Sequence, residues 1–111
     1  MKAPKHLSVQ ARGLFEYISE TFALETQDYM RLRAACEAWD RLQAARRRIA
    51  KDGDYVLDRF DQLKAHPAVA VERDARVGFL RALREMGLDV LEDTTEAVRP
   101  PRVTAKGDRR G

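Results

Sequence analysis

Residues 26–53, TQDYMRLRAACEAWDRLQAARRRIAKDG, lie within the longest run of the chain without an internal proline or glycine, and Gly53 closes that run. The stretch carries the only tryptophan (Trp39), the only cysteine (Cys36) and the densest basic cluster, Arg46, Arg47, Arg48 and Lys51. Counted at about 100° per residue from Leu32, the residues Ala35, Cys36, Trp39 and Ala50 fall within ~60° of it, and Leu42 and Ile49 extend that face on one side. The pattern predicts an amphipathic helix of roughly seven turns, ~38 Å long at 1.5 Å per residue. The other periodic segments are shorter and are expected to pack against it.

The chain has 111 residues, the size of one domain. A core of that size buries about 65% of the unfolded surface, so a monomer is modestly stable and oligomerisation offers one compensation. Charged residues make up 35% and aromatics 7%, which suits a helical, charged surface over a thin core. The net charge is +3 and the pI near 9.3. From Arg99 onward the residues Arg99, Arg102, Lys106, Arg109 and Arg110 stand against Asp108 alone. This balance permits an acidic partner, nucleic acid or protein, without demanding one. A single cysteine excludes an internal disulfide, no apolar run approaches a membrane span, and MKAPKHLS lacks a signal-type apolar stretch; a reducing intracellular setting is expected.

Residues 1–7 read as a flexible basic arm with Lys2 and Lys5, mobile until Leu7 docks. Ser8 is a suitable N-cap for a first helix over about 8–22, where Leu7, Ala11, Leu14, Phe15, Ile18 and Phe22 recur at three and four. The brief Leu24-Glu25-Thr26 connection makes Thr26 the expected N-cap of the long helix, about 26–51, with Asp28 in its first turn. So short a connection makes the first two helices neighbours, antiparallel or crossed. Gly53 ends the long helix, and residues 54–65 form a small β-hairpin or an ordered loop. A two-stranded hairpin is not stable alone, so it must pack on the helices or on another subunit. His66 and Pro67 open a third helix over about 67–86, whose apolar face is Val71, Ala75, Phe79, Ala82, Leu83 and Met86. Gly87 ends it and Leu88 folds back over the cap. The helical core domain thus spans 8–91, and the basic tail 92–111 has little to bury and is expected to be disordered until a partner binds.

The pattern lacks a glycine-rich phosphate loop, a zinc-ligand spacing and a nucleophile with a paired base. Glu37 with Arg41 and Glu72 with Arg76 stand at i,i+4 in the favourable order, as on a solvated helix face. Neither an enzyme nor a cofactor is expected. Cys36 reads as a small core residue, His66 as a structural N-cap, and Trp39 as a core anchor or a subunit contact. The arginine triplet fans over ~200° and cannot form one flat patch. Arg46 falls about 40° from Leu32, within the apolar sector, so its charge must snorkel, pair, or face a neighbouring subunit or nucleic acid.

The ordered pieces resemble the small terminase subunit of tailed double-stranded DNA bacteriophages in its compact three-helix form. The resemblance covers about residues 4–88. It rests on PKHLSVQARGLFEYI, on the long helix with CEAWDR at its centre, and above all on the segment from KDGDYVLDRF to GL. Within that segment Asp58-Arg59, His66-Pro67, Glu72-Arg73, Ala75-Arg76, Leu80-Arg81, Leu83 and Gly87-Leu88 match the family pattern. Phe60-Asp61 departs from it, because members often carry glycine after the Asp-Arg pair. Aspartate tolerates left-handed backbone angles, so the turn survives, and an exposed Phe60 there makes the hairpin a candidate subunit contact.

The resemblance implies a mainly α fold and a non-catalytic subunit that assembles into homo-oligomeric rings. Such a subunit engages double-stranded viral DNA and regulates the large subunit, the ATPase and nuclease, during genome packaging in the cytoplasm of the infected bacterium. Candidate DNA contacts are Arg46, Arg47, Arg48 and Lys51, then Lys2 and Lys5. Arg46 and Phe60 are candidate subunit contacts, and Arg99, Arg102, Lys106, Arg109 and Arg110 form a candidate docking tail for the large subunit. The first two helices could form a helix-turn-helix reader, although the second is long for that role. The alternative is a helical protein-interaction adaptor without nucleic-acid binding.

Overall fold

The computed structural model describes residues 2–88 and 104–105. Their order is α1 (Val9–Thr21), β1 (Phe22–Ala23), α2 (Thr26–Asp52), β2 (Tyr55–Leu57), β3 (Leu63–Ala65), α3 (Pro67–Glu85) and β4 (Thr104–Ala105). The fold is mainly α, with three helices and a short antiparallel strand pair ahead of the third. Within the tail, β4 pairs antiparallel with β1, Phe22 opposite Ala105 and Ala23 opposite Thr104. The rest of the tail expected to be disordered lies outside the described residues.

Each helix start follows local chemistry. Ser8 caps α1, its Oγ accepting the Ala11 N–H at 3.1 Å. The cap of α2 is Glu25, one residue before the expected Thr26, because Asp28 reaches back to accept the Glu25 N–H at 3.3 Å. At the far end Gly53 takes φ +88° while its N–H bonds to the Ile49 carbonyl at 2.7 Å. Gly87 does the same for α3 at φ +80°, and Leu88 folds into the core at 5% exposure.

Helices α2 and α3 form an antiparallel pair in constant register. Asp52 meets His66, Arg46 meets Glu72, Trp39 packs tilted against Phe79 and Arg31 reaches Glu85, so each step along one helix matches a step back along the other. Helix α1 lies beside only the first part of this pair. Ser8 bonds to Asp40, Gln10 to Trp39, and Phe15 packs near Tyr29. The molecule therefore has a three-helix head and a two-helix arm that ends in the β2–β3 hairpin. The main apolar cluster sits in the head: Leu7, Ala11, Phe15, Ile18, Phe22, Leu32, Cys36, Met86 and Leu88.

The arm explains a departure from the sequence reading. In the head the buried side of α2 centres on Leu32, between α1 and α3. Beyond Trp39 α1 offers only its first residues, across an open cleft, α3 is the helix that packs, and the buried residues become Leu42 and Ala45, with Ile49 half-buried. These lie about 80°, 140° and 100° from Leu32 on the helical wheel. Ala50, at the angle of Leu32, is exposed. The apolar stripe does not run straight beneath Arg46; it turns to follow α3. Trp39 stands at the turning point and is half-buried, packed against the core rather than within it.

The hairpin forms as a true ladder, with Tyr55 opposite Ala65, Val56 opposite Lys64 and Leu57 opposite Leu63. Its turn closes on Asp58, whose carboxylate accepts the N–H groups of Phe60 (2.7 Å) and Gln62 (3.0 Å). Asp61 takes φ +62°, the left-handed position that aspartate tolerates where others need glycine.

Candidate nucleic-acid interface

The four basic residues near the end of α2 divide into two kinds. Arg46 Nε lies 3.2 Å from Glu72 on α3, and the same carboxylate takes Arg76 Nε at 3.5 Å. Of the three fates open to a charge in that sector, Arg46 takes pairing, and the carboxylate belongs to its own chain. Arg48 Nε lies 3.1 Å from Asp52. Arg47 and Lys51 have no ion pair among the described residues, and both are exposed. They stand one turn apart on one side of α2.

Arg47 also faces the start of α1. With Ser8, Val9, Gln10, Asp40 and Gln43 it lines an open cleft of about 340 Å³. Asp40 anchors that helix start, accepting the Ser8 N–H at 2.8 Å and the Ser8 hydroxyl at 2.5 Å. The basic arm leads into this place: Lys2 and Lys5 are exposed, His6 Nε2 lies 2.7 Å from Glu37, and Leu7 is buried. The geometry thus brings the root of the N-terminal arm beside Arg47 and leaves the charges of Arg46 and Arg48 offset by carboxylates. The tail residues Arg99, Arg102, Lys106, Arg109 and Arg110 lie outside the described residues.

A second polar network, at the base of the hairpin, was only half legible from spacing. His66 Nδ1 accepts the Ala68 N–H at 2.9 Å, as expected of an N-cap. That assigns the ring proton to Nε2, which donates to Asp52 at 2.9 Å. The His66 N–H bonds to the Asp54 carbonyl at 2.8 Å. One imidazole therefore ties the end of α2, the hairpin and the start of α3 together. Asp52 and His66 are separated by the hairpin in sequence, and a strand pair between a helix stop and a His-Pro start was the available clue.

Of the two expected local charge pairs, one forms and one does not. Glu37 bonds to Arg33 at 3.1 Å and to His6, not to Arg41. Glu72 and Arg76 pair as expected. Cys36 is buried, and its thiol is pushed up to about 12 by burial and then by Asp40 and Glu37, so it stays a protonated core residue.

Four carboxylates are held below their ordinary range. The Arg33 and His6 hydrogen bonds lower Glu37; the His66 bond, then Arg48, lowers Asp52. The Gln62 and Phe60 N–H groups lower Asp58. At Glu72 desolvation opposes the shift and is outweighed by Arg76 and Arg46. A carboxylate with a depressed folded value contributes stability that is present above its unfolded pKa and lost as pH falls through the folded one. With ordinary values of 3.8 for the aspartates and 4.5 for the glutamates, denaturation midpoints should be flat above roughly pH 5 and fall below it. Urea titrations from pH 7 to pH 3 check this; a midpoint that stays level to pH 3 would contradict the pairings.

Among the described residues no helix is long and apolar enough to cross a membrane, and no group of three or more His, Cys, Asp or Glu side chains is placed to hold a metal ion. No curated protein and no solved structure matches the chain. A family model described as phage terminase, small subunit, matches residues 12–94, which include all of α2, the hairpin, α3 and most of α1. By that match over most of its length, the chain belongs to the phage terminase small-subunit family, whose role is in packaging phage DNA.

Proposed function

We propose that this chain is a non-catalytic, oligomeric subunit that engages double-stranded phage DNA in the infected host cell and regulates the large terminase subunit. The observation that carries the DNA contact is the uncompensated pair Arg47 and Lys51, exposed beside the root of the arm that bears Lys2 and Lys5. Arg46 and Arg48 join them by exchanging a carboxylate partner for a phosphate, at the cost of exposed ion pairs worth little individually. The tail arginines are the proposed docking segment for the large subunit. Arg46 and Phe60 are proposed to lie at the contact between copies.

Contacts of this kind go to phosphates, so affinity falls with salt at a slope of about 0.9 per phosphate neutralised. Mobility shifts over a salt series are expected to show that slope. Replacing Arg47, Arg48 and Lys51 together with alanine should flatten it by about two to three. An unchanged slope would remove these residues from the DNA surface. The exposed apolar hairpin also suits a protein-binding adaptor; that reading prevails if the wild-type chain binds no DNA at low salt. Sedimentation of the wild-type chain at micromolar concentration should give a multi-subunit species, and a strict monomer would overturn the oligomer.

A further inference from the structure

The hairpin at the tip of the arm carries more exposed apolar surface than its size warrants. Tyr55, Leu57 and Leu63 are 61%, 62% and 68% exposed, and Phe60 at the turn is 68% exposed. The ladder places Tyr55, Leu57, Leu63 and Ala65 on one face, since directly opposed residues share a side and the side chains alternate. The Arg59 guanidinium, 5.1 Å from the ring centre, covers part of Phe60. At ~150–250 Å² per aromatic ring, these side chains together expose on the order of 500 Å², the upper range for the largest apolar patch on a monomer.

A complementary feature lies where the arm leaves the head. Gln10, Leu14, Trp39 and Phe79 line an open groove of about 200 Å³. Trp39 and Phe79 line it with ring centres 5.2 Å apart, and the Trp39 Nε1–H donates to the exposed Gln10 at its Oε1 at 2.9 Å. The indole is thereby satisfied, and the remaining lining is apolar. For scale, an apolar space of roughly 150 Å³ holds a benzene ring.

The chain's own hairpin does not fill this groove. Its base is tied at Asp52 and His66, at the opposite end of the arm from Trp39. None of its residues lines the groove, and Phe60 stands 68% exposed at the turn. The occupant must come from another molecule, and a hairpin ending in an exposed phenylalanine is the aromatic projection at hand.

We propose that the tip of one copy, led by Phe60 with Leu57 and Leu63, seats in the Gln10–Leu14–Trp39–Phe79 groove of the next. The inference rests on the oligomeric reading above and specifies its contact. A knob and a hole on different parts of the same chain make a heterologous interface, which closes into a ring when the rotation allows and needs no two-fold axis. The tip supplies the apolar centre of an interface whose usual size is about 800 Å² per partner, and the flanks of the arm and head supply its rim.

The test uses the full chain and two kinds of variant. Leu57→Ser with Phe60→Ser blunts a tip whose side chains are already exposed. Leu14→Gln weakens the groove, and Gln10→Trp fills it from its exposed rim while leaving every core side chain in place. The wild type should sediment as an oligomer and each variant as a monomer. A one-to-one mixture of tip and groove variants should yield a two-chain species, because one intact tip then meets one intact groove. Trp39, the only tryptophan, reports from the groove itself. Its emission should shift to the red on dilution of the wild type and stay red-shifted in the tip variant at every concentration.

If the wild type is an oligomer and the variants keep its mass, the proposal is overturned while the oligomeric reading stands. If only the tip variant dissociates, or the mixture stays monomeric, the tip seats elsewhere and the groove assignment is wrong. A monomeric wild type overturns both.

Discussion

Leu32→Ala should lower the unfolding free energy by about 3–5 kcal/mol, the upper part of the range for a buried leucine. Leu32 is fully buried in the three-helix head, in the cluster that holds Phe15, Ile18, Cys36 and Met86. Removing its side chain leaves a cavity walled from three directions, which the structure can close only by shifting a helix. A domain of this kind has about 5–15 kcal/mol of net stability, so the loss consumes a large share of it. The midpoint of thermal unfolding should drop by about 10 °C or more. Leu57→Ala is the control: the side chain is 62% exposed, and the monomer should change by no more than about 0.5 kcal/mol. Chemical denaturation at a concentration where the chain is monomeric separates the two. A loss at Leu32 below about 1 kcal/mol would show a head far looser than its packing.

His66→Ala is the second large effect, and it should be local. The substitution removes the N-cap of α3, worth about 1–2 kcal/mol, and strips Asp52 of its imidazole partner. It also frees the base of the hairpin, because one ring holds the end of α2 and the start of α3 together. The main cluster lies in the head and keeps its packing. Hydrogen exchange should therefore accelerate at the amides of residues 54–68 while those around Leu32 and Ile18 change little. His66→Asn keeps a capping acceptor without the reach to Asp52, and about half of the lost stability should return. Uniform acceleration through the head would show that arm and head unfold as one unit.

These two expectations mark how far residue patterns reach. The three helices, their caps at Ser8 and His66, and the glycines at 53 and 87 are set by neighbours within a few positions. The same holds for the turn at Asp58–Asp61, where a carboxylate two residues from an N–H reproduces a backbone turn. Thr26 was the exception: Glu25 and Asp28 compete for the same helix start, and the carboxylate that reaches back decides it.

The candidate interface was legible as a list of cations and not as a surface. Arg46, Arg47, Arg48 and Lys51 look alike in the sequence, and carboxylates on α3 and at the helix end divide them. Arg46 meets Glu72 only because α2 and α3 run antiparallel in a register that no local pattern states. Heptad-like spacing of Ala35, Leu42, Ala45 and Ile49 was the available signal that the buried stripe turns beyond Trp39.

By itself the sequence determined the three helices, the hairpin between the second and third, and the family, because those depend on short-range propensity and on the order of pieces. The β1–β4 pairing, which joins residues as distant in the chain as Phe22 and Ala105, was not among them. Only the tertiary structure decided that α1 covers one end of the α2–α3 pair. That leaves a thin arm with an apolar tip, a half-buried Trp39 beside a groove, and, of the four cations near the end of α2, Arg47 and Lys51 without a carboxylate among the described residues. The physical reason is that burial depends on how many neighbours an element has at each point along its length. A periodic stripe records that a side is apolar, while the helices beside it decide how much of that side is covered.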